Sequence, residues 1–107
     1  MNARKSVAVI GTLDTKSDEI GYIAAALDRL GLDAVTIDSG ILGRGTLVPT
    51  ISRDEVAGSA GMTLEQVQNA GSRGAAVEHM QRGLRKLVPA LQVEGRIHGA
   101  ICLGGQG

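Results

Sequence analysis

A chain of 107 residues with 43% hydrophobic and 21% charged side chains has the balance of one globular domain. Eleven Lys and Arg against eleven Asp and Glu give a formal charge of zero, and Tyr22 is the one aromatic residue. A clustered basic face and a base-stacking platform are therefore both excluded, so nucleic acid is not an expected partner.

No apolar run approaches the roughly 20 residues of a bilayer span. MNARKS leads into an apolar run at 7–10 that is too short for a signal peptide. The single Cys102 has no partner for an internal disulfide. These features predict a cytoplasmic protein that no membrane holds. A core without large aromatic side chains is modest, so support from a partner copy in a homo-oligomer, or from further chain, is expected.

Ser6–Ile10 is a continuous apolar, β-branched run, as in a parallel strand buried on both faces. Thr15 followed by Asp18 reads as the start of a helix. Ile20, Ile23, Ala24, Leu27 and Leu30 then recur at helical spacing, and Gly31 stops the pattern. DAVTID at 33–38 is a second strand, completing a βαβ unit with a right-handed crossover. Residues 39–62 are glycine-rich and predict a long, mobile excursion with little regular structure. Within it Ser52 and Glu55 form a capping box for a short helix, and Thr63 and Gln66 repeat the pattern. A longer helix begins near Ser72, with the stripe Val77, Met80, Leu84, Leu87, Val88 and Leu91. Pro89 is expected to kink or divide it. Ile97–Leu103 is a third strand, in which Cys102 reads as a small core residue. The predicted fold is a three-layer, Rossmann-like open parallel sheet in the order 2-1-3. That order places the turn after strand 1 beside the exit of strand 3, at a topological switch point.

Those two turns carry the candidate site. In Gly11-Thr12-Leu13-Asp14-Thr15-Lys16-Ser17, the Lys-Ser pair follows the glycine after four residues without a second glycine, so the loop is too short for a Walker A motif. It still sets hydroxyls and a lysine at a helix N-terminus, where free N–H groups favour anions. The bland reading is a helix cap with a solvated Lys16. Gly104-Gly105-Gln106-Gly107 permits close approach of a ligand to the backbone, or is a flexible end. Asp38 either contacts a ribose or makes an Asx-type turn, and G-x-G-x-x-G is missing, which argues against NAD. No metal-ligand spacing and no nucleophile–base pair stands out; His79 and His98 read as surface or structural groups, and Arg44 as solvated.

VAVIGTLDTKSDEI at 7–20, ISRDEVA at 51–57 and GAICLGGQG at 99–107 resemble the start of the Tm-one-like ATP-binding family. The resemblance implies that residues 1–107 are the N-terminal part of one α/β nucleotide-binding domain. It implies ATP as ligand, with or without magnesium, held by Gly11, Thr12, Asp14, Thr15 and Lys16 and by Gly104, Gly105 and Gly107. A fragment of a two-domain sugar-nucleotide or phosphosugar enzyme, and a non-catalytic dimerisation module, are the alternative readings.

Overall fold

The computed structural model describes residues 4–43 and 47–103. Its elements run β1 (Ser6–Gly11), α1 (Leu13–Arg29), β2 (Asp33–Asp38), α2 (Arg53–Ser59), α3 (Leu64–Gln68), α4 (Arg73–Val93) and β3 (Gly99–Cys102). The strands form one parallel sheet in the order β2-β1-β3, as the two crossovers predict. β1 pairs on both sides, which explains its continuous apolar sequence: alternate side chains enter two different cores. Val9 joins Leu13, Ile20 and Leu27 of α1 on one face. Ala8 and Ile10 join Val56, Ala57, Val67, Met80 and Leu91 of α2, α3 and α4 on the other.

The helix boundaries show where tertiary bonds outweigh local signals. The Thr15–Asp18 box is not the start of α1. The helix begins at Leu13 with Thr12 as its N-cap, and Lys16 departs from helical geometry at φ −120°, ψ 17°. The reason is long-range, because the Leu13 N–H donates to Asp38 Oδ1 at 3.1 Å and so anchors the first turn to β2. The two later boxes form as expected. Ser52 Oγ accepts from Glu55 N at 3.3 Å, and Thr63 and Gln66 exchange bonds of 3.1 and 2.9 Å. Between them, the 39–62 segment is packed rather than loose in its described part, burying Ile41, Ile51, Val56 and Ala57 and adding a parallel bridge between Ile37 and Ile51.

α4 runs through Pro89 as one helix, against the expected division. Proline deprives the carbonyl of residue 85 of its donor, but Arg85 and Pro89 both lie on the exposed side, where water satisfies that oxygen. Gly83, by contrast, is buried where α4 crosses α2. Cys102 also corrects its expectation. β3 pairs only with β1 among the described strands, and all of its residues are exposed, so the thiol lies at the surface and not in the core. No described helix is long and apolar enough to cross a membrane.

Candidate functional site

Parallel strands send their carboxyl ends to one edge, and the helices that follow return from it, so helix N-termini gather there. At this edge Gly11 aligns with Asp38 in the β1–β2 register, and Leu103 N donates to Ile10 O at 2.9 Å. The first turn is thus next to the exit of β3, as the strand order required. Gly104, Gly105, Gln106 and Gly107 lie outside the described residues, as does Arg44. Gly11 itself is buried, and a Cβ there would lie 2.8 Å from Ile20 Cδ1 and 3.6 Å from Leu103 Cβ.

Thr12 caps α1 through its backbone conformation alone, since its side chain accepts no backbone N–H. Its hydroxyl instead pairs with that of Thr15 at 2.6 Å, on the exposed side of the turn. Lys16 Nζ lies 3.7 Å from Glu19 Oε2 and keeps about a third of its side chain exposed. Ser17 Oγ donates to Leu13 O at 2.5 Å. The turn therefore displays two hydroxyls and one ammonium group, with a helix N-terminus beneath them.

Behind it sits a buried polar cluster. Asp38 is 4% exposed and Arg53 2% exposed, and Arg53 Nε donates to Asp38 Oδ2 at 2.8 Å. Asp38 Oδ1 accepts from Leu13 N at 3.1 Å and from Gly40 N at 2.8 Å, the second bond being the Asx-type turn. One carboxylate thus joins α1, the end of β2 and the start of α2. Two residues beyond Gly40, Leu42 is held at both ends of its backbone: its N–H donates to Asp14 Oδ2 at 3.2 Å, and its carbonyl accepts from Arg53 Nη1. Two buried side-chain atoms, Asp14 Oδ1 and Arg53 Nη2, have no hydrogen-bond partner among the described residues.

Arg53 is the functional candidate that the sequence reading missed. It occupies the first position of a helix that a capping box announced, where a charged side chain reads as solvated. The hint was indirect: Asp38 ends an apolar strand, where a carboxylate that enters the interior needs a cation. The two histidines stay away from the edge. His98 Nδ1 accepts from Ser6 N at 3.0 Å, tying β1 to the start of β3, and His79 pairs with Arg82 on α4. Among the described residues no group of three or more His, Cys, Asp or Glu side chains is arranged to hold a metal ion. An open groove of about 620 Å³ lies further along the same edge, between Ile41 and Leu42, Gln68 and Asn69 of α3's end, and Ser72 and Arg73 at the start of α4.

These features define a small open-sheet α/β domain with its polar groups concentrated at the carboxyl edge. Residues 5–107 match the family described as "Uncharacterised protein family (UPF0261) N-terminal domain", and the chain belongs to that family. It is 38% identical over 103 residues to a UPF0261 protein of Clostridium tetani (strain Massachusetts / E88), covering 96% of this chain and 26% of that one. A UPF0261 protein of Brucella suis biovar 1 (strain 1330) is 39% identical over 99 residues, or 92% of this chain and 24% of its own. One from Rhizobium meliloti (strain 1021) is 30% identical over 103 residues, covering 96% and 25%. The chain thus spans about a quarter of the length of the curated relatives it matches. No solved structure matches it. The assignment corrects the resemblance to the Tm-one-like ATP-binding family: the segments that carried it fall within the UPF0261 match, and no ATP-binding description comes with that family or with these relatives.

Proposed function

We propose that the chain is a nucleotide-binding α/β domain, with ATP as its ligand and the phosphates seated on the turn from Thr12 to Lys16. The observation that carries this reading is the start of α1, a helix whose half-buried N-cap hydroxyl caps nothing and pairs with an exposed second hydroxyl beside a lysine. At this N-terminus Leu13 N and Thr15 N already donate to Asp38 and to the Thr12 carbonyl, so an anion would be held by the positive end of the dipole and the Asp14 N–H. Thr12 and Thr15 supply hydroxyl donors, and Lys16 leaves Glu19 to meet phosphate charge. In this reading Gly104, Gly105 and Gly107, which lie outside the described residues, also contribute to holding the nucleotide. A magnesium ion would travel with the phosphates. The lone cysteine favours a reducing, cytoplasmic setting.

Titration calorimetry with magnesium-ATP tests the assignment. Lys16→Ala is expected to weaken binding about tenfold, the effect of losing one charge-assisted hydrogen bond. Equal affinity of the variant, or no heat with the unaltered protein, would remove ATP phosphates from this turn.

The exposed β3 edge supports self-association as a second reading. Gly99–Cys102 carries no charge and no proline to block a strand from another copy, and Ile101 is 38% exposed. Sedimentation should show a dimer regardless of ATP, and Ile101→Lys should shift it to monomer. A monomer at all concentrations would exclude pairing through this strand.

A further inference from the structure

The unpartnered atoms Asp14 Oδ1 and Arg53 Nη2 flank Gly40. A Cβ built on Gly40 would lie 2.8 Å from Arg53 Nη2 and 3.1 Å from Asp14 Oδ1, so both atoms face the same small region of the 39–43 loop. A carboxylate oxygen can only accept a hydrogen bond and a guanidinium N–H can only donate one. Each is buried and, among the described residues, unsatisfied, an arrangement that native proteins rarely keep without a purpose.

We propose that Asp14 and Arg53 form a pocket for sugar hydroxyls, kept shut by Leu42 until ligand enters. The proposal rests on the nucleotide reading above and assigns the ribose to this cluster. The charges select the chemistry. A phosphate at Arg53 Nη2 would meet the Asp14 carboxylate, and a cation at Asp14 would meet the guanidinium. A neutral hydroxyl satisfies both, donating to Asp14 and accepting from Arg53, and a vicinal diol does so twice. The backbone of Leu42 already offers that complement, with its N–H on Asp14 Oδ2 and its carbonyl on Arg53 Nη1. The loop is therefore a stand-in for the diol that engages only half of each side chain. A ribose that lifts the loop uses the other half as well. Asp38 keeps the guanidinium in place throughout, through its bond to Nε. Asp14 lies in the same first turn as Thr12, Thr15 and Lys16, so ribose and phosphates occupy neighbouring parts of one edge.

The experiment compares ATP, 2′-deoxy-ATP, 3′-deoxy-ATP and inorganic triphosphate by calorimetry on the unaltered protein, Asp14→Asn and Gly40→Ala, with circular dichroism to confirm folding. Buried groups built to bond a hydroxyl reject analogues that lack it. The deoxy analogues are expected to bind the unaltered protein at least tenfold more weakly than ATP. In Asp14→Asn the difference should fall below threefold, while triphosphate binds no more weakly than it does to the unaltered protein, because a carboxylate near the phosphates has been removed. Gly40→Ala places a methyl group between the two side chains and should erase the discrimination independently. Equal binding of ATP and both deoxy analogues by the unaltered protein would overturn the pocket while leaving the phosphate site intact. Undiminished discrimination in both variants would also overturn it, and absence of all nucleotide binding would remove pocket and phosphate site together.

Discussion

Arg53→Ala is expected to destabilise the domain by about 3–5 kcal/mol, because it leaves the Asp38 carboxylate buried without its counter-charge. Against a whole-domain stability of roughly 5–15 kcal/mol, that loss leaves a large unfolded fraction. The magnitude follows from burial. Both side chains are nearly sealed from water, so neither charge can be resolvated when the other is removed. The carbonyl of Leu42 loses its donor in the same step. Urea denaturation followed by circular dichroism measures the change. Replacing both partners, as Arg53→Met with Asp38→Leu, should cost less than the sum of the single changes, since no lone charge remains. Recovery should stay incomplete, because Leu13 N and Gly40 N would still lack the acceptor that Asp38 supplies. A loss below about 1 kcal/mol for Arg53→Ala would mean that water reaches the pair, since exposed ion pairs contribute no more than that.

The same pair marks how far the fold and site were legible in the sequence. Strand positions and their order were readable, because β1 is an unbroken apolar run, DAVTID at β2 has a β-branched centre, and the glycine stops between elements are local signals. The turn from Thr12 to Lys16 was readable for the same reason. Arg53 was not, since its partner lies 15 residues away and no periodic pattern links them. The start of α1 was misplaced by three residues for a related cause: the bond from Leu13 to Asp38 is tertiary and outweighs the local capping pattern at Thr15. Cys102 was misread because an apolar parallel strand has one composition whether it is central or at an edge. Only the strand pairing, in which β3 meets β1 alone among the described strands, distinguishes the two.

Gly83→Ala should reverse the usual sign of a glycine-to-alanine change in a helix. Alanine is favoured over glycine by about 1 kcal/mol in a helix interior, and Gly83 lies well inside α4. Yet a Cβ there would sit 2.1 Å from the carbonyl oxygen of Val56, 3.0 Å from its carbon and 3.2 Å from Val56 Cγ1. Most of that contact is backbone, which no rotamer change relieves, so α2 and α4 must move apart. Overpacking of this kind typically costs about 1–3 kcal/mol, and more where backbone must shift. Separation would also loosen Val56 and Met80, both buried in the larger core, and would displace α2, whose first residue is Arg53. The net effect is therefore a loss, of about 2 kcal/mol after the propensity gain is subtracted. Gly74 provides the control within the same helix. It is exposed, and a Cβ there would meet only Ser72 Oγ at 3.9 Å, so Gly74→Ala should be neutral or stabilising. Thermal unfolding of the two variants checks both signs. A Gly83→Ala protein as stable as Gly74→Ala would show that α2 and α4 are not locked at this crossing, and that the α2 end of the Arg53 cluster is free to shift.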